Sequence, residues 1–177
     1  MPTDLERRRA IDTAASMYLA EEPLDMSLLA ERLGVGRATL YRWVGNRDEL
    51  LGTVLAEATE RTYRKAMSQA SGGQGPEYIL DVFGRVMRSV ESSTELRALT
   101  KREPMVFIKL AMMPGSIESI SASITAEILQ SQVDAGQLTI TLSPQVLGEA
   151  LVRICDVHLY APPCSAEKRP RSRRPST

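Results

Sequence analysis

The feature that most constrains this chain is a pair of short helical segments joined by a glycine-containing turn, within residues 25–51. Apolar residues recur at helical spacing before the turn, and Asp25 is a good N-cap for the first segment. Gly34 stands where that helix must end, because glycine adopts the left-handed conformation at little cost. Leu40 and Val44 would face the first helix. The pattern predicts a helix-turn-helix, in which one helix braces another in the DNA major groove.

The second helix of this motif carries side chains suited to a polyanion. Arg37 and Arg42 can bind phosphates or guanine edges. Ala38 is small enough to let the helix approach the groove, and Thr39 is a candidate contact for a thymine methyl or a phosphate. Each residue also has an interpretation without DNA. The arginines could be solvated, Ala38 could be present as a good helix former, and Thr39 could pack at the helix start. The surrounding motif favours the DNA-binding interpretation.

The stretch Gly34–Leu51, GVGRATLYRWVGNRDELL, resembles the recognition segment of TetR-family transcriptional regulators. The resemblance covers residues 7–56 and includes positions typical of the family's first helix, namely Ile11, Ala14, Ala15 and Tyr18. Gly36 stands where the family usually has a capping serine, and Pro23 lies in a loop where the family commonly has a glycine. Both departures resemble the subgroup of the family that has a QsdR-type C-terminal region.

The resemblance adds three candidate DNA contacts. Tyr41 matches, residue for residue, a tyrosine that donates its hydroxyl to a phosphate in the family. Arg47 matches a basic phosphate contact at the start of helix four, where the helix end adds exposed N–H groups. Trp43 can donate its indole N–H in the same way, although a tryptophan is as often packed as it is functional. The predicted DNA-binding residues are therefore Arg37, Ala38, Thr39, Tyr41, Arg42, Trp43 and Arg47.

Helical periodicity and the scarcity of alternating stretches predict an all-α fold. We expect an N-terminal helix-turn-helix domain of three helices over residues 1–50, with helix four, residues 47–70, as the connection. A helical ligand-binding and dimerisation domain is expected over residues 76–160. The segment SGGQG, residues 71–75, is the clearest break between the two. The short apolar stretch at residues 138–142 is interpreted as a loop.

The tail, residues 161–177, is dominated by Pro, Arg and Ser and has no apolar periodicity. Such a segment buries too little surface to offset its ordering entropy, so we expect disorder. Its basic residues could form an auxiliary nucleic-acid arm or a solvated terminus without function. A third hypothesis is a frameshift, because a GC-rich gene read out of frame gives such a composition. Family members usually carry one more apolar helix for the dimer interface, so a frameshift would impair dimerisation.

The second domain is expected to hold a hydrophobic small-molecule effector. Methionine fills irregular space and tolerates varied ligands. The predicted lining is Tyr78, Phe83, Met87, Met105, Phe107 and Met112. Ordinary helical core is the alternative interpretation of these residues, and it is the resemblance to a family with effector pockets that supports a cavity. Polar anchors for such a ligand could come from Arg88, Glu91, Arg97 or Lys109.

Composition excludes several function classes. The formal net charge is zero, so a nucleic-acid footprint must be local. No apolar run reaches the length that spans a bilayer, and no signal peptide opens the chain, so we expect a cytoplasmic protein without membrane contact. Cys155 and Cys164 are too few for a disulfide framework. Cys155 and His158 lie three apart, but a closed metal site needs four ligands.

No P-loop, dinucleotide fingerprint or nucleophile elbow is present, so we expect neither an enzyme nor a cofactor. The sequence predicts a ligand-responsive transcriptional repressor that binds a palindromic double-stranded DNA operator as a homodimer. The alternative is a helical small-molecule or partner-binding protein whose N-terminal head no longer contacts DNA. The near-neutral head and the irregular tail keep this alternative open.

Overall fold

The computed structural model of the chain describes residues 3–71, 73–112 and 117–160, without the side chains of Met112 and of residues 158–160. Every regular element in these ranges is an α-helix, which confirms the predicted all-α fold. The order is α1 (Asp4–Leu19), α2 (Met26–Leu33), α3 (Arg37–Val44), α4 (Arg47–Gln69), α5 (Pro76–Ser92), α6 (Thr94–Arg102), α7 (Pro104–Met112), α8 (Ile117–Asp134) and α9 (Pro144–Tyr160). None of these helices is both long and apolar enough to cross a bilayer. The tail and its frameshift hypothesis lie outside the described residues.

Helices α1, α2 and α3 form a three-helix head around a small apolar centre. Met17, Leu29 and Leu40, one from each helix, are completely buried there. The Asp25 carboxylate caps α2 by accepting the amides of Ser27 and Leu28 at 2.6 and 3.0 Å. The turn between α2 and α3 thus follows the predicted helix-turn-helix.

A capping box fixes where α4 begins relative to α3. The Asn46 side chain accepts the Glu49 amide at 3.0 Å, and the Glu49 carboxylate accepts the Asn46 amide at 2.9 Å. Gly45, at φ 74°, links the two helices, and a Cβ added there would collide with the Glu49 carboxylate. Any other residue at this corner would strain the backbone and displace the Glu49 carboxylate that completes the capping box.

The loop between α1 and α2 uses a strained residue in place of a glycine. Glu21 has φ 59°, the one positive value among the non-glycine residues that the structure describes. Its amide donates to the Tyr18 carbonyl at 2.9 Å, and the Glu22 amide donates to the Met17 carbonyl at 2.9 Å. These bonds close α1 before Pro23. The left-handed conformation costs a non-glycine residue about 1–2 kcal/mol.

Packing crosses the predicted domain boundary. Leu99 of α6 and Phe107 and Leu110 of α7 belong to the same buried cluster as the head residues and the first half of α4. A Cβ added at Gly52 of α4 would lie 3.4 Å from the Leu110 side chain, so α7 packs directly on α4. The glycine-rich segment at residues 71–75 thus divides the chain in sequence, while α6 and α7 pack with the head.

A second buried cluster joins the far half of α4 to α5 and α8. Tyr63, Val82 and Ile128 lie at its centre. Helix α9 lies close against α8, because a Cβ added at Gly148 would stand 2.9 Å from the Ala122 carbonyl oxygen. Helix α4 is therefore common to both clusters.

Candidate nucleic-acid interface

Helix α3 has one buried side and one exposed side. Leu40 and Val44 pack into the head, as the spacing predicted. Arg37, Tyr41 and Arg42 are exposed, with Tyr41 at 39%. Ala38 is exposed as well, and because its side chain is short, a DNA groove can approach the helix backbone there. We call this exposed side of α3 the recognition face.

Thr39 and Trp43 are only partly exposed. The Thr39 hydroxyl accepts a long hydrogen bond of 3.5 Å from the Arg42 guanidinium. The Trp43 ring packs against the apolar cluster of the head, in agreement with the packed interpretation of a tryptophan. Contacts from either side chain to DNA stay predictions.

Two carboxylates lie close to the recognition face. Hydrogen bonds from Thr3 lower the pKa of Glu6, with a smaller contribution from the charge of Arg42. The amides of Leu28 and Ser27 lower the pKa of Asp25, with smaller contributions from Arg37 and Arg47. The arginines of the recognition face therefore have acidic neighbours in the head, and the chain as a whole has zero formal net charge.

Arg47 occupies a different environment from the other predicted contacts. Its Nε donates to the Leu24 carbonyl at 2.7 Å, and its Nη2 donates to both carboxylate oxygens of Glu103 at 2.7 and 2.8 Å. A weaker contact of 3.7 Å joins it to Asp48. The structure therefore places Arg47 at the start of α4, as predicted, but pairs it with the residue between α6 and α7.

Two further polar contacts tie α6 and α7 to the head and to the start of α4. The Lys109 ammonium bonds to the Asp48 carboxylate at 2.9 Å. The Arg102 guanidinium donates to the Glu21 carbonyl at 3.1 Å, in the loop after α1. Sequence analysis missed these partners, because residues 61 and 81 positions apart leave no periodic signal. Lys109, considered as a ligand anchor, is engaged here instead.

A small cavity lies among α4, α5, α8 and α9. Its volume is about 70 Å³. Phe83 and Met87, two of the predicted pocket residues, line it. The Phe83 ring meets the Tyr63 ring edge to face, with centroids 6.4 Å apart. The remaining lining residues are Thr59, Thr62, Tyr63, Val86, Val90, Ile117, Ser121, Val152, Cys155 and Asp156.

The other predicted pocket residues are not brought to this cavity. Tyr78 packs at the edge of the second buried cluster. Phe107 is buried in the head cluster and also lines a separate groove beside α6 and α7. Met105 is 72% exposed. The side chain of Met112 lies outside the described residues. A single pocket that joins these residues with Phe83 and Met87 is therefore not present in this conformation of the described chain.

Asp156 gives the cavity an ionisable wall that sequence analysis did not select. Burial raises the pKa of the Asp156 carboxyl to about 6, and the charge of Glu118 adds to the shift. Burial and the neighbouring Asp156 also raise the pKa of the Cys155 thiol. The Asp156 carboxyl therefore ionises around pH 6, well above the range of an exposed aspartate. The sequence held one weak signal for this role of Asp156. Asp156 lies four residues after Val152 on α9, so the two side chains share one side of the helix.

We expect the Asp156 carboxyl to make folding stability depend on pH. It ionises at about pH 6 in the folded protein and near pH 3.9 in an unfolded chain. Between these values the folded state binds more protons, so this group makes the free energy of unfolding fall as pH rises. Asp156→Asn cannot ionise, and it should gain stability relative to the wild type near pH 7 more than near pH 4 in urea denaturation. Asp134→Asn, at the exposed end of α8, is the control. An equal difference at both pH values for Asp156→Asn would contradict this expectation.

Comparison with known proteins assigns the family. A family model described as "Tetracyclin repressor-like, C-terminal domain" matches residues 74–173. The solved structure of the TetR-family transcriptional repressor QsdR from R. erythropolis is similar, with 99% sequence identity and a TM-score of 0.87. The match covers 91% of this chain and 85% of that chain.

A second solved structure shares the fold. It is the TetR-family repressor AlkX from Dietzia sp. strain DQ12-45-1b, with 20% identity and a TM-score of 0.63, and the match covers 89% of this chain and 85% of that one. No curated protein sequence matches the chain. The family model and the 99% identical relative confirm the resemblance that the turn and α3 suggested. The chain therefore belongs to the TetR family of transcriptional regulators.

Proposed function

We propose that this protein is a transcriptional repressor that binds a palindromic DNA operator as a homodimer and releases it when a hydrophobic small molecule binds. The observation that carries the proposal is the recognition face, where Arg37, Tyr41 and Arg42 are exposed on a helix that the head braces from behind. The repressor function of the 99% identical relative from R. erythropolis supports it.

The chemistry of the recognition face suits a duplex. A helix of eight residues can lie in the major groove, and its exposed guanidinium groups can reach phosphates or guanine edges. The phenol of Tyr41 is a donor for a phosphate oxygen. Phosphate contacts position such a helix, while contacts to base edges give the sequence preference. Two heads in successive major grooves need a spacing of about 34–36 Å, which requires a dimer.

Helix α9 offers a surface for the second copy of the chain. Ile154 and Val157 are 65% and 66% exposed, and Val146 lies on the same helix with half of its surface exposed. An exposed row of large apolar side chains is costly in water unless a partner covers it. A twofold axis would place the same row of the partner opposite it. We therefore assign the dimer contact to this face of α9.

The size of the cavity suggests how an effector acts. An engineered cavity of about 150 Å³ binds benzene, whereas this cavity measures about 70 Å³. A larger hydrophobic ligand can enter only if the surrounding helices move apart. Such a ligand binds the enlarged conformation better than the one described here, and this difference in affinity is what shifts the equilibrium.

Helix α4 connects the cavity to the head. Thr59, Thr62 and Tyr63 of α4 line the cavity, and Arg47 begins the same helix beside α3. At 1.5 Å per residue, about 18 Å of helix separates Arg47 from Thr59. A displacement at the cavity therefore reaches the head along one rigid element, and it changes the spacing of the two heads in a dimer.

We expect Tyr41→Ala/Arg42→Ala to abolish specific binding. The probe is a duplex selected by the wild-type protein from a random pool, and binding is measured by fluorescence anisotropy over a salt series. Each subunit loses two contacts, so affinity should fall by more than about thirtyfold and the salt dependence should weaken. Helical content should not change, because both side chains are exposed.

Arg88→Ala is the matched control for that variant, since it removes one exposed arginine from α5 and should bind as the wild type does. Unchanged affinity of the double variant would contradict the assignment of the recognition face. Wild-type protein that selects no duplex would favour the alternative, a helical binding protein with an inactive head.

We expect Ile154→Asp to convert the dimer into a monomer. Because the dimer is twofold symmetric, the substitution would bury two carboxylates in the apolar interface, one from each subunit. Each of them would lose its hydration, so association should weaken at least about a hundredfold. Sedimentation equilibrium measures the mass, and the selected duplex measures the consequence for DNA binding. Leu80→Asp is the control, because Leu80 is 71% exposed but belongs to α5 and not to α9. A dimer that persists in Ile154→Asp, or one that Leu80→Asp disrupts equally, would overturn the assignment.

A further inference from the structure

Arg47 stands where a DNA phosphate is expected, yet a carboxylate of the same chain occupies its guanidinium. We propose that Glu103 competes with an operator phosphate for Arg47, so that the junction of α6 and α7 regulates DNA affinity directly. The inference rests on the proposed DNA-binding function and deepens it by naming the regulatory contact.

The Arg47–Glu103 pair lies where an anion is favoured. Arg47 is the first residue of α4, where free N–H groups and the helix dipole favour an anion. The Glu103 carboxylate presents both of its oxygens to Nη2, at 2.7 and 2.8 Å. A phosphate offers the same kind of charged oxygen acceptor, and arginine binds it through charge-assisted hydrogen bonds as well.

Arg47 lies close to the surface that would meet DNA. Its Nε is held by the carbonyl of Leu24, the residue before the N-cap of α2. The charges of both Arg37 and Arg47 act on the Asp25 carboxylate, so the two guanidinium groups share one region of the head. The Arg47 side chain is 29% exposed and that of Glu103 is 20% exposed. Loss of the Glu103 contact would leave a partly exposed cation beside the recognition face.

The position of Glu103 depends on α6 and α7. Its amide donates to the Leu99 carbonyl at 2.8 Å, and Pro104 then begins α7. Leu99 and Phe107, on either side of this junction, are buried against the head. A shift of α6 and α7 relative to the head would therefore make or break the bond to Arg47.

The other charged groups around the pair are weaker partners for Arg47. Asp48 stands 3.7 Å from its guanidinium and is itself bonded to Lys109 at 2.9 Å. Arg102 lies 3.6 Å from the Glu103 carboxylate, so it would hold that carboxylate when Arg47 leaves. Because only the fraction of molecules with a free Arg47 can bind the phosphate fully, the pair lowers the apparent affinity for DNA by that fraction.

The test is a double-mutant cycle on the wild-type-selected duplex. Glu103→Gln should bind it about two- to tenfold more tightly than the wild type, because the competing charge is removed. In an Arg47→Ala background the same substitution should have almost no effect. Arg47→Ala alone should also reduce the salt slope of binding by roughly one per subunit, as the loss of a phosphate contact does.

Two additional variants separate competition from a merely structural role. Glu127→Gln removes the same charge and an interhelical ion pair with Arg64 of 3.0 Å, far from the head, and should leave affinity unchanged. Arg47→Lys keeps a cation that binds phosphate as a point charge, but it loses the bond to the Leu24 carbonyl that holds the guanidinium beside Glu103, and it should bind the duplex at least as tightly as the wild type. This second variant tests the inference even if Glu103→Gln does not fold.

The outcomes distinguish the inference from the proposed function. Wild-type protein that binds no duplex in a salt-dependent manner overturns the proposed function and this inference with it. Wild-type binding combined with an equal effect of Glu103→Gln in both backgrounds, or with weaker binding by Glu103→Gln and Arg47→Lys, overturns the competition alone.

Discussion

The burial of α6 and α7 against the head is the contact on which the rest of this structure depends. Leu99, Phe107 and Leu110 share one apolar cluster with Leu40, the residue that anchors α3 from behind. Burying a side chain of this size contributes about 1.5–3 kcal/mol, so three of them outweigh any of the surface ion pairs nearby. The recognition face is therefore held in place in part by helices that lie beyond the glycine-rich segment.

The proposed function depends on the position of α4 between the two clusters. One end of this helix carries the capping box and Arg47, next to α3, while its middle lines the cavity with Thr59 and Tyr63. In the mechanism that we propose, a ligand that enlarges the cavity displaces α4 and therefore also the end of α4 that lies beside α3. The ion pairs of Glu103 and Lys109 with α4 also join α6 and α7 to the start of that helix, beside α3.

The sequence predicted most of the head and the helical class, because local signals specify them. Asp25 and Gly34 mark the ends of α2, Asn46 and Glu49 mark the start of α4, and the 3.6-residue period selects Leu40 for burial. These signals act within one or two turns of helix. The predicted exposure of Arg37, Tyr41 and Arg42 follows from the same period.

The contacts between distant helices could not be predicted in this way. Helix α7 is apolar nearly all round, so periodicity could not tell that Phe107 is buried while Met105 is exposed. The pairing of Arg47 with Glu103 spans 56 residues and leaves no trace in composition or spacing. Asp156 becomes a cavity residue only because α9 packs on α8, and the sequence of α9 alone does not predict that packing.

Hydrogen exchange of the head amides tests the central claim most directly, by comparing Leu110→Ala with Val82→Ala under conditions in which both variants are folded. Each substitution leaves a void in one cluster and is expected to destabilise its surroundings. The account predicts faster exchange in α1 to α3 for Leu110→Ala, and faster exchange in α5 and α8 with an unchanged head for Val82→Ala. Head exchange that Leu110→Ala leaves as slow as in the wild type would contradict it.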